Sequence, residues 1–371
     1  LKLRTSYTEV GSPITQTGIT PGTVTDPMSG GVINPISTYP YPDFKPERTK
    51  SYEVGINARF LNGRISFDGT FYQSNTYNQT FLSVMSPATG YSGFYVQAGN
   101  VRNRGVEMTL GYNDTFGKVN YSTHLTYTAN QNKIVEMVHD YRNPIDNSLV
   151  NITELTLKEA GDVYLREGYS MSDVFTTGIL QRGRDGKLVE EGNGYQVDRS
   201  QRIRLGSADP DFTMGWRHDI NYKNISLGLM ITGRFGGIVT SQTQAFIDAF
   251  GVAKVSAEAR DNGGVMLDGH RYDAERYYNT VGGQGLMSYY TYDATNVRLQ
   301  ELSLTYSLPK KWLGDVFNNA TISFVGRNLF MFYRKAPFDP DMNGSTGTYN
   351  RSDFFMAPSL RNLGFSIKFS L

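Results

Sequence analysis

A chain of 371 residues with 36 Lys+Arg against 35 Asp+Glu has a formal net charge of +1, so no global field recruits nucleic acid or holds the chain on an anionic surface. Its 25 Tyr, 21 Phe and 39 Gly accompany a hydrophobic fraction of only 39% and a mean hydropathy of -0.40. That is too little aliphatic content for one large soluble core, and it suits a wall that meets lipid on one face only. The absence of Cys excludes a disulfide framework, a thiolate metal site and a cysteine nucleophile. No run of about 18 apolar residues predicts a membrane-spanning helix.

Leu1 to Val10 already reads as a strand, with no basic-then-apolar leader before it. The expectation is therefore that an N-terminal portion of an exported protein lies outside these residues. Gly11 to Pro46 is rich in Pro, Thr and Gly and reads as a loop. Period-2 alternation begins in Val54 to Phe60 and is plain in Ile65, Phe67, Gly69 and Phe71 against Ser66, Asp68, Thr70 and Tyr72. It returns in Val106 to Tyr112, Val119 to Tyr127, Phe212 to Tyr222, Ile225 to Ile231, Leu302 to Leu308 and Ala320 to Leu329. It closes the chain in Leu363, Phe365, Ile367, Phe369 and Leu371. The charges inside these segments, Asp68, Glu107, Arg217 and Asp219, fall on the polar phase. Each segment has about the 9 to 11 residues that a tilted strand needs to cross a bilayer.

Alternation alone separates a half-solvated soluble sheet from a membrane wall only weakly, and loop lengths separate them better. Leu61-Asn62-Gly63, Asp114 to Gly117 and Lys223-Asn224 read as tight reversals. Ser74 to Arg102, Gln131 to Arg204 and Gly236 to Asn296 read as very long excursions, which a soluble domain seldom tolerates. Aromatic residues in Gly263 to Tyr278 and Gly282 to Tyr292 predict ordered rather than disordered loops.

QAGNVRNRGVEMTL, from Gln97 to Leu110, resembles the Asn-Gly-rich turn into a strand of SusC/RagA-like TonB-dependent transporters. The resemblance continues in the same order through FKPERTKSYEVGINARFLNGRISFDGTFY (Phe44 to Tyr72) and SPATG (Ser86 to Gly90). It then runs through LGSADPDFTMGWRHDINYKNISLGLMITGRFGG (Leu205 to Gly237), YDATNVRLQELSLTYSLPKKWL (Tyr292 to Leu313) and FVGRNLFMFYRKAPFDPD (Phe324 to Asp341). One departure is Leu371, where such barrels usually end in Phe.

The resemblance implies an all-β fold, a transmembrane antiparallel β-barrel of which residues 1 to 371 form the C-terminal part, about half of a 22-strand wall. The plug domain, the TonB-box and the early strands are implied to lie outside this sequence. It also implies outer-membrane lipid around the wall, a SusD-like surface lipoprotein as lid, TonB as energy source and an oligomeric cargo. Glycan is the first expectation for that cargo, oligopeptide the alternative; a soluble carbohydrate-binding or adhesion module is the reading from a different class.

No catalytic, cofactor-binding or metal site is expected. His124, His139, His218 and His270 are scattered without HExxH, no GxSxG, GxGxxG or P-loop motif is present, and Glu190-Glu191 reads as solvated loop charge. Asp339, Asp341, Asn343 and Gly344 imitate the first half of a calcium loop. Asn350 stands where the bidentate glutamate belongs, so a turn fixed by Pro340 is the preferred reading. The candidates for cargo contact are Tyr277, Tyr278, Tyr289, Tyr290, Tyr292, Phe354 and Phe355, whose rings could stack on sugar faces or peptide side chains, or equally pack among themselves or in a girdle. Glycine-rich tips near Gly263 and Gly282 are candidates for the lid contact.

Overall fold

The computed structural model describes residues 1–13, 23–26, 32–35, 37–39, 44–142, 148–157, 163–313, 317–341 and 352–370. The chain forms two units, one of residues 1–111 and 126–173, the other of residues 112–125 and 174–371.

In the first unit β1 (Lys2–Ser12), β2 (Glu47–Phe60), β3 (Ile65–Tyr77), β4 (Asn100–Phe116, to residue 111 here) and β5 (Val119–Glu136, from residue 126 here) lie in that order in one sheet. The antiparallel register runs unbroken from Lys2↔Asn57 to Ser12↔Glu47 and from Arg48↔Tyr77 to Phe60↔Ile65. Leu61, Asn62 and Gly63 reverse the chain between β2 and β3, all three at positive φ. The asparagine and glycine suit that conformation and the leucine does not.

Alternation sorts the side chains into two faces. Leu3, Tyr7, Tyr52, Val54 and Phe71 stand exposed on one. On the other, Arg4 donates to both carboxylate oxygens of Asp68 at 2.9 and 2.5 Å, and Asn57 donates to the same carboxylate at 2.8 Å. Gly55 is required beneath this pair, because an added Cβ would strike the Arg4 guanidinium.

At the end away from the Leu61–Gly63 turn, the expected loop of Ser74 to Arg102 is largely strand. β3 continues to Tyr77, Gln79–Val84 pairs with Gly93–Ala98, and β4 starts at Asn100. The Gly11 to Pro46 loop likewise contains paired strands, Thr23–Asp26 with Val32–Pro35. In Gln131 to Arg204, β5 runs on to Glu136, and Val138–Arg142 pairs with Leu149–Ile152 and Glu154–Thr156 with Tyr164–Arg166. Turn-rich composition hides such short hairpins, since three to six residues give too few alternations to read.

In the second unit residues 119–125 of β5 are followed in the sheet by β6 (Phe212–Tyr222), β7 (Ile225–Phe235), β8 (Asn296–Ser307), β9 (Asn319–Arg334) and β10 (Asn362–Ser370). Every neighbouring pair from β6 to β10 is antiparallel, and bulges interrupt β7–β8 once and β8–β9 twice. Apolar rungs cross these strands: Ile220, Leu227, Leu304, Phe324 and Phe365 in one, and Tyr222, Ile225, Tyr306, Ile322 and Ile367 in the next.

The opposite face carries a ladder of charge. Arg217 binds Asp219 through two contacts of 2.9 Å and approaches Glu301 at 3.7 Å, and Glu301 accepts from Arg327 at 3.0 Å. Polar groups on the apolar face pair with one another: Trp216 Nε1 donates to Thr123 Oγ1 at 3.0 Å, and the Tyr121 hydroxyl lies 2.8 Å from His218 Nδ1.

Several strands outrun their sequence signal, β5 with 18 residues and β9 with 16. Beyond an apolar band both faces meet water, so period 2 fades while backbone pairing continues. Leu371 and the Asn343, Gly344 and Asn350 of the calcium-like stretch lie outside the described residues.

Candidate substrate-facing loops

The long excursions of the second unit leave the sheet at the end opposite the reversals at residues 117–118, 223–224 and 308–313, and they form a folded layer. After β7, the strand Ile238–Ser241 leads into α1 (Gln242–Ala249), followed by α2 (Lys254–Asp261) and α3 (Ala274–Val281). None of these helices is announced by periodicity, because eight residues complete too few turns to display a period. Their ends are chemically fixed: Ser241 Oγ accepts from Gln244 N–H at 3.0 Å, and Asp273 accepts from Arg276 N–H at 2.9 Å.

The layer has its own core of Leu180, Leu188, Tyr195, Ala245, Tyr272, Tyr277, Val281, Leu286 and Tyr290, with Tyr278, Tyr289 and Met287 packed against it. Its tyrosines act at both ends of the side chain. Their rings fill the core while the Tyr272 hydroxyl accepts from Leu188 N–H at 3.1 Å and the Tyr289 hydroxyl from Leu180 N–H at 3.2 Å. Backbone amides that no ladder satisfies are thus met by phenol oxygens. Burial pushes the Tyr277 and Tyr290 phenols well above the usual tyrosine range, with neighbouring Tyr289 reinforcing the first and Asp248 the second. Asp248 is itself raised, chiefly by burial, against the donation from Gln244 at 2.8 Å.

This layer divides the seven aromatic candidates. Tyr277 and Tyr290 are buried in its core, Tyr278 and Tyr289 pack on it, and Tyr292 stands edge-on to Phe338 at 5.5 Å beside Val239, Ala294 and Ala336. Phe354 and Phe355 are different, being 50% and 60% exposed. With Phe246 of α1, a residue without a signal in the sequence, they form a group with ring centroids 5.2 to 5.9 Å apart. Phe355 holds a φ of 49°, a conformation that a bulky residue adopts only under constraint. The constraint is α1: Thr243 Oγ1 accepts from Phe355 N–H at 2.6 Å, Ser241 Oγ donates to Asp353 Oδ2 at 2.8 Å, and Ser352–Asp353 pairs in parallel with Thr240–Ser241.

Gly282 is needed where α1 and α3 approach, since a Cβ there would meet the Ala245 carbonyl; Gly263, at φ 77°, closes a turn. Glu190 is exposed and pairs with Arg276 at 3.2 Å. Asp339 and Asp341 bind a guanidinium, since buried Arg298 lies 2.8 Å from one and 2.6 Å from the other, with Arg234 3.6 Å from Asp341. The preferred reading of this stretch is a turn fixed by Pro340; the guanidinium that its two carboxylates hold, Arg298 of β8, is not part of that reading. Among the described residues no group of three or more His, Asp or Glu is placed to hold a metal.

Strands greasy on one face and charged on the other, reversing tightly at one end and erupting into folded loops at the other, define the wall of a membrane β-barrel. A family model for the TonB dependent receptor-like β-barrel matches residues 1–232, and the chain belongs to that family. It is 25% identical to TonB-dependent receptor P3 of Formosa agariphila over 99% of this chain and 39% of the relative, and 25% identical to TonB-dependent receptor P26 of the same organism over 81% and 32%. The chain therefore spans about two fifths or less of the length of these curated relatives. Among solved structures, its fold is that of the RagAB peptide transporter (TM-score 0.72, 17% identity, 99% of this chain and 40% of that one). The 'open-open' state of the RagAB peptide importer matches similarly (TM-score 0.69, 18% identity, 100% and 40%). The family is one of outer-membrane β-barrels, so the strands are the segments that cross the bilayer, their apolar face toward lipid and their charged face toward the lumen.

Proposed function

We propose that this chain supplies wall and cargo-facing loops to a TonB-dependent importer of an oligomeric nutrient. A SusD-like surface lipoprotein serves as its lid, and energy from the inner membrane arrives through TonB. The observation that carries this reading is the folded loop layer, which holds the hydroxyl-free rings of Phe246, Phe354 and Phe355 in water at the end opposite the short turns. A ring group fixed by hydrogen bonds to a helix start, with one member in a strained backbone conformation, is costly unless something stacks on it. No bond of the cargo is made or broken in this scheme, and the non-enzymatic reading of the sequence is kept.

Glycan is the cargo class that the family resemblance puts first, with the sugar's C–H faces against the rings. Oligopeptide is the second reading, favoured by the fold likeness to a peptide importer. The test is uptake of fluorescent oligosaccharides and oligopeptides by cells carrying the native protein, with and without TonB. TonB-dependent entry of one class, reduced by Phe354→Ala and Phe355→Ala, is expected. Entry that ignores TonB, or the absence of entry for both classes, would overturn the proposal.

A further inference from the structure

In the first unit the apolar face of the sheet changes character toward the end away from the Leu61–Gly63 turn. Tyr7 of β1 and Tyr52 of β2, each 52% exposed, are partners in the register with ring centroids 4.9 Å apart. Two residues further along each strand, on the same face, stand the partners Glu9 and Lys50, and two further still on β2 stands Arg48. Arg48 lies 3.2 Å from Glu9, and the Lys50 ammonium 5.8 Å from the centroid of the Tyr77 ring of β3.

The cations continue on the same face of the neighbouring strands. Asn75 Nδ2 of β3 donates to Asn100 Oδ1 of β4 at 2.8 Å, and the alternation of β4 then brings Arg102 and Arg104 to this face ahead of Val106 and Met108. Arg104 Nε donates to Gln131 Oε1 of β5 at 2.9 Å, and on the opposite face Asn132 donates to Asn103 at 2.9 Å, so the next step of the ladder sets Arg102 beside Lys133. The acidic residues of these segments, Glu47, Glu53, Glu107 and Glu136, belong to the opposite phase, which leaves Glu9 as the carboxylate of this face among the described residues. Arg48 binds it, and no carboxylate among the described residues pairs with Lys50, Arg102, Arg104 or Lys133.

We propose that this rim binds the phosphate groups of a phosphorylated glycolipid in the outer leaflet. This rests on the reading that turns the loop end toward the cell surface. The Tyr7 and Tyr52 rings mark the level where acyl chains give way to headgroups, and the cations one and two rungs beyond them stand among the phosphates. The charge falls into two groups, Arg48 and Lys50 on β2 and Arg102, Arg104 and Lys133 on β4 and β5, with β3 between them. Two strand spacings, about 10 Å, separate β2 from β4. The interval is neutral and amide-lined, Gln73 Nε2 donating to Asn75 Oδ1 at 3.1 Å. A headgroup with one phosphate fills one group of cations. A saccharide with a phosphate at each end fills both, pairs with guanidinium through two hydrogen bonds at a time and lays its hydroxyls over the amides. Its acyl chains then cover the exposed tyrosine rings, which a free phosphate leaves bare.

The experiment is native mass spectrometry of the full-length protein purified from the outer membrane of its own cells, titrated separately with bisphosphorylated lipid A and with lipid A stripped of both phosphates. The comparison is a variant with Lys50→Gln, Arg102→Gln and Lys133→Gln, folding being checked by the heat-modifiable mobility of the barrel. Preferential retention of the bisphosphorylated lipid is expected, falling on the order of fivefold per charge removed at low ionic strength while retention of the stripped lipid is unchanged. Lys50→Arg with Lys133→Arg is expected to keep the preference. Equal retention of the two lipids by the native protein would overturn the proposal, as would a folded glutamine variant that keeps the preference. Orientation is read separately by Leu149→Cys, at a position 60% exposed in the hairpin of Val138–Arg142 and Leu149–Ile152, labelled on intact cells with a membrane-impermeant maleimide. Labelling with no lipid preference sinks the lipid site alone and leaves the import reading standing, whereas absence of labelling beyond that of the native protein sinks the surface orientation on which both depend.

Discussion

Arg298 of β8 donates to Asp339, 41 positions further along the chain, at 2.8 Å and from a site only 5% exposed. This bond, with that to Asp341, fastens the root of the excursion that begins after β9 to the top of the wall. Removing one partner of a buried pair leaves the other charged and unpaired, which costs about 3 to 5 kcal/mol. Arg298→Met is expected to open residues 335–361 to protease while the barrel keeps its heat-modifiable mobility. Proteolysis at the native rate would show that the pair is not what holds this loop.

Phe355→Gly separates conformation from contact. Glycine accepts the positive φ without the strain of about 1 kcal/mol that a side chain meets there. The folded loop is expected to persist, with equal or slower amide exchange around Thr243, while cargo binding weakens. Unchanged cargo binding would remove the ring from the proposed contact.

The carboxyl of Asp248 is raised chiefly by burial, so the folded loop layer favours its protonated form. Its contribution is complete below the unfolded carboxylate range and is lost as pH rises through the raised folded value. Amide exchange in α1 is therefore expected to slow on acidification toward that range, and Asp248→Asn to flatten the dependence and protect α1 at neutral pH. An equal pH dependence in the variant would assign the effect to another group.

On the lipid face, the Tyr121–His218 contact predicts coupling in a double-mutant cycle of Tyr121→Phe and His218→Leu. The expected size is about 0.6 kcal/mol, typical of side-chain hydrogen bonds within membranes, measured by urea unfolding in lipid. Each single change strands a polar partner facing acyl chains, and the double change strands none. Strict additivity would mean that the contact contributes nothing.

The wall was legible because its physics repeats every second residue. Asp68 and Arg217 on the polar phase, and Phe365 and Ile367 on the other, stand where alternation put them. The loop layer was legible only as composition. Tyr277 and Phe354 carry the same aromatic signature in the text, yet one lies in a core and the other in water, because burial there is decided by contacts between segments distant in sequence, as when Leu180 and Leu188 meet Tyr290. Phe246 was missed for the same reason, its role arising from Phe354 and Phe355 more than a hundred residues away. Arg298 lies ahead of the Leu302 to Leu308 alternation, in the part of β8 that period 2 did not reveal, and nothing around it in the sequence hinted at Asp339.

Arg234 and Asn296 face each other on one rung, so the 61 residues between them depart from and return to adjacent positions of the wall. An insert whose two ends meet is exchangeable. Transplanting residues 235–295 between related barrels requires no re-registration of a single strand, so this part of the loop layer can drift, or be exchanged, as a cassette while the frame of strands stays constant.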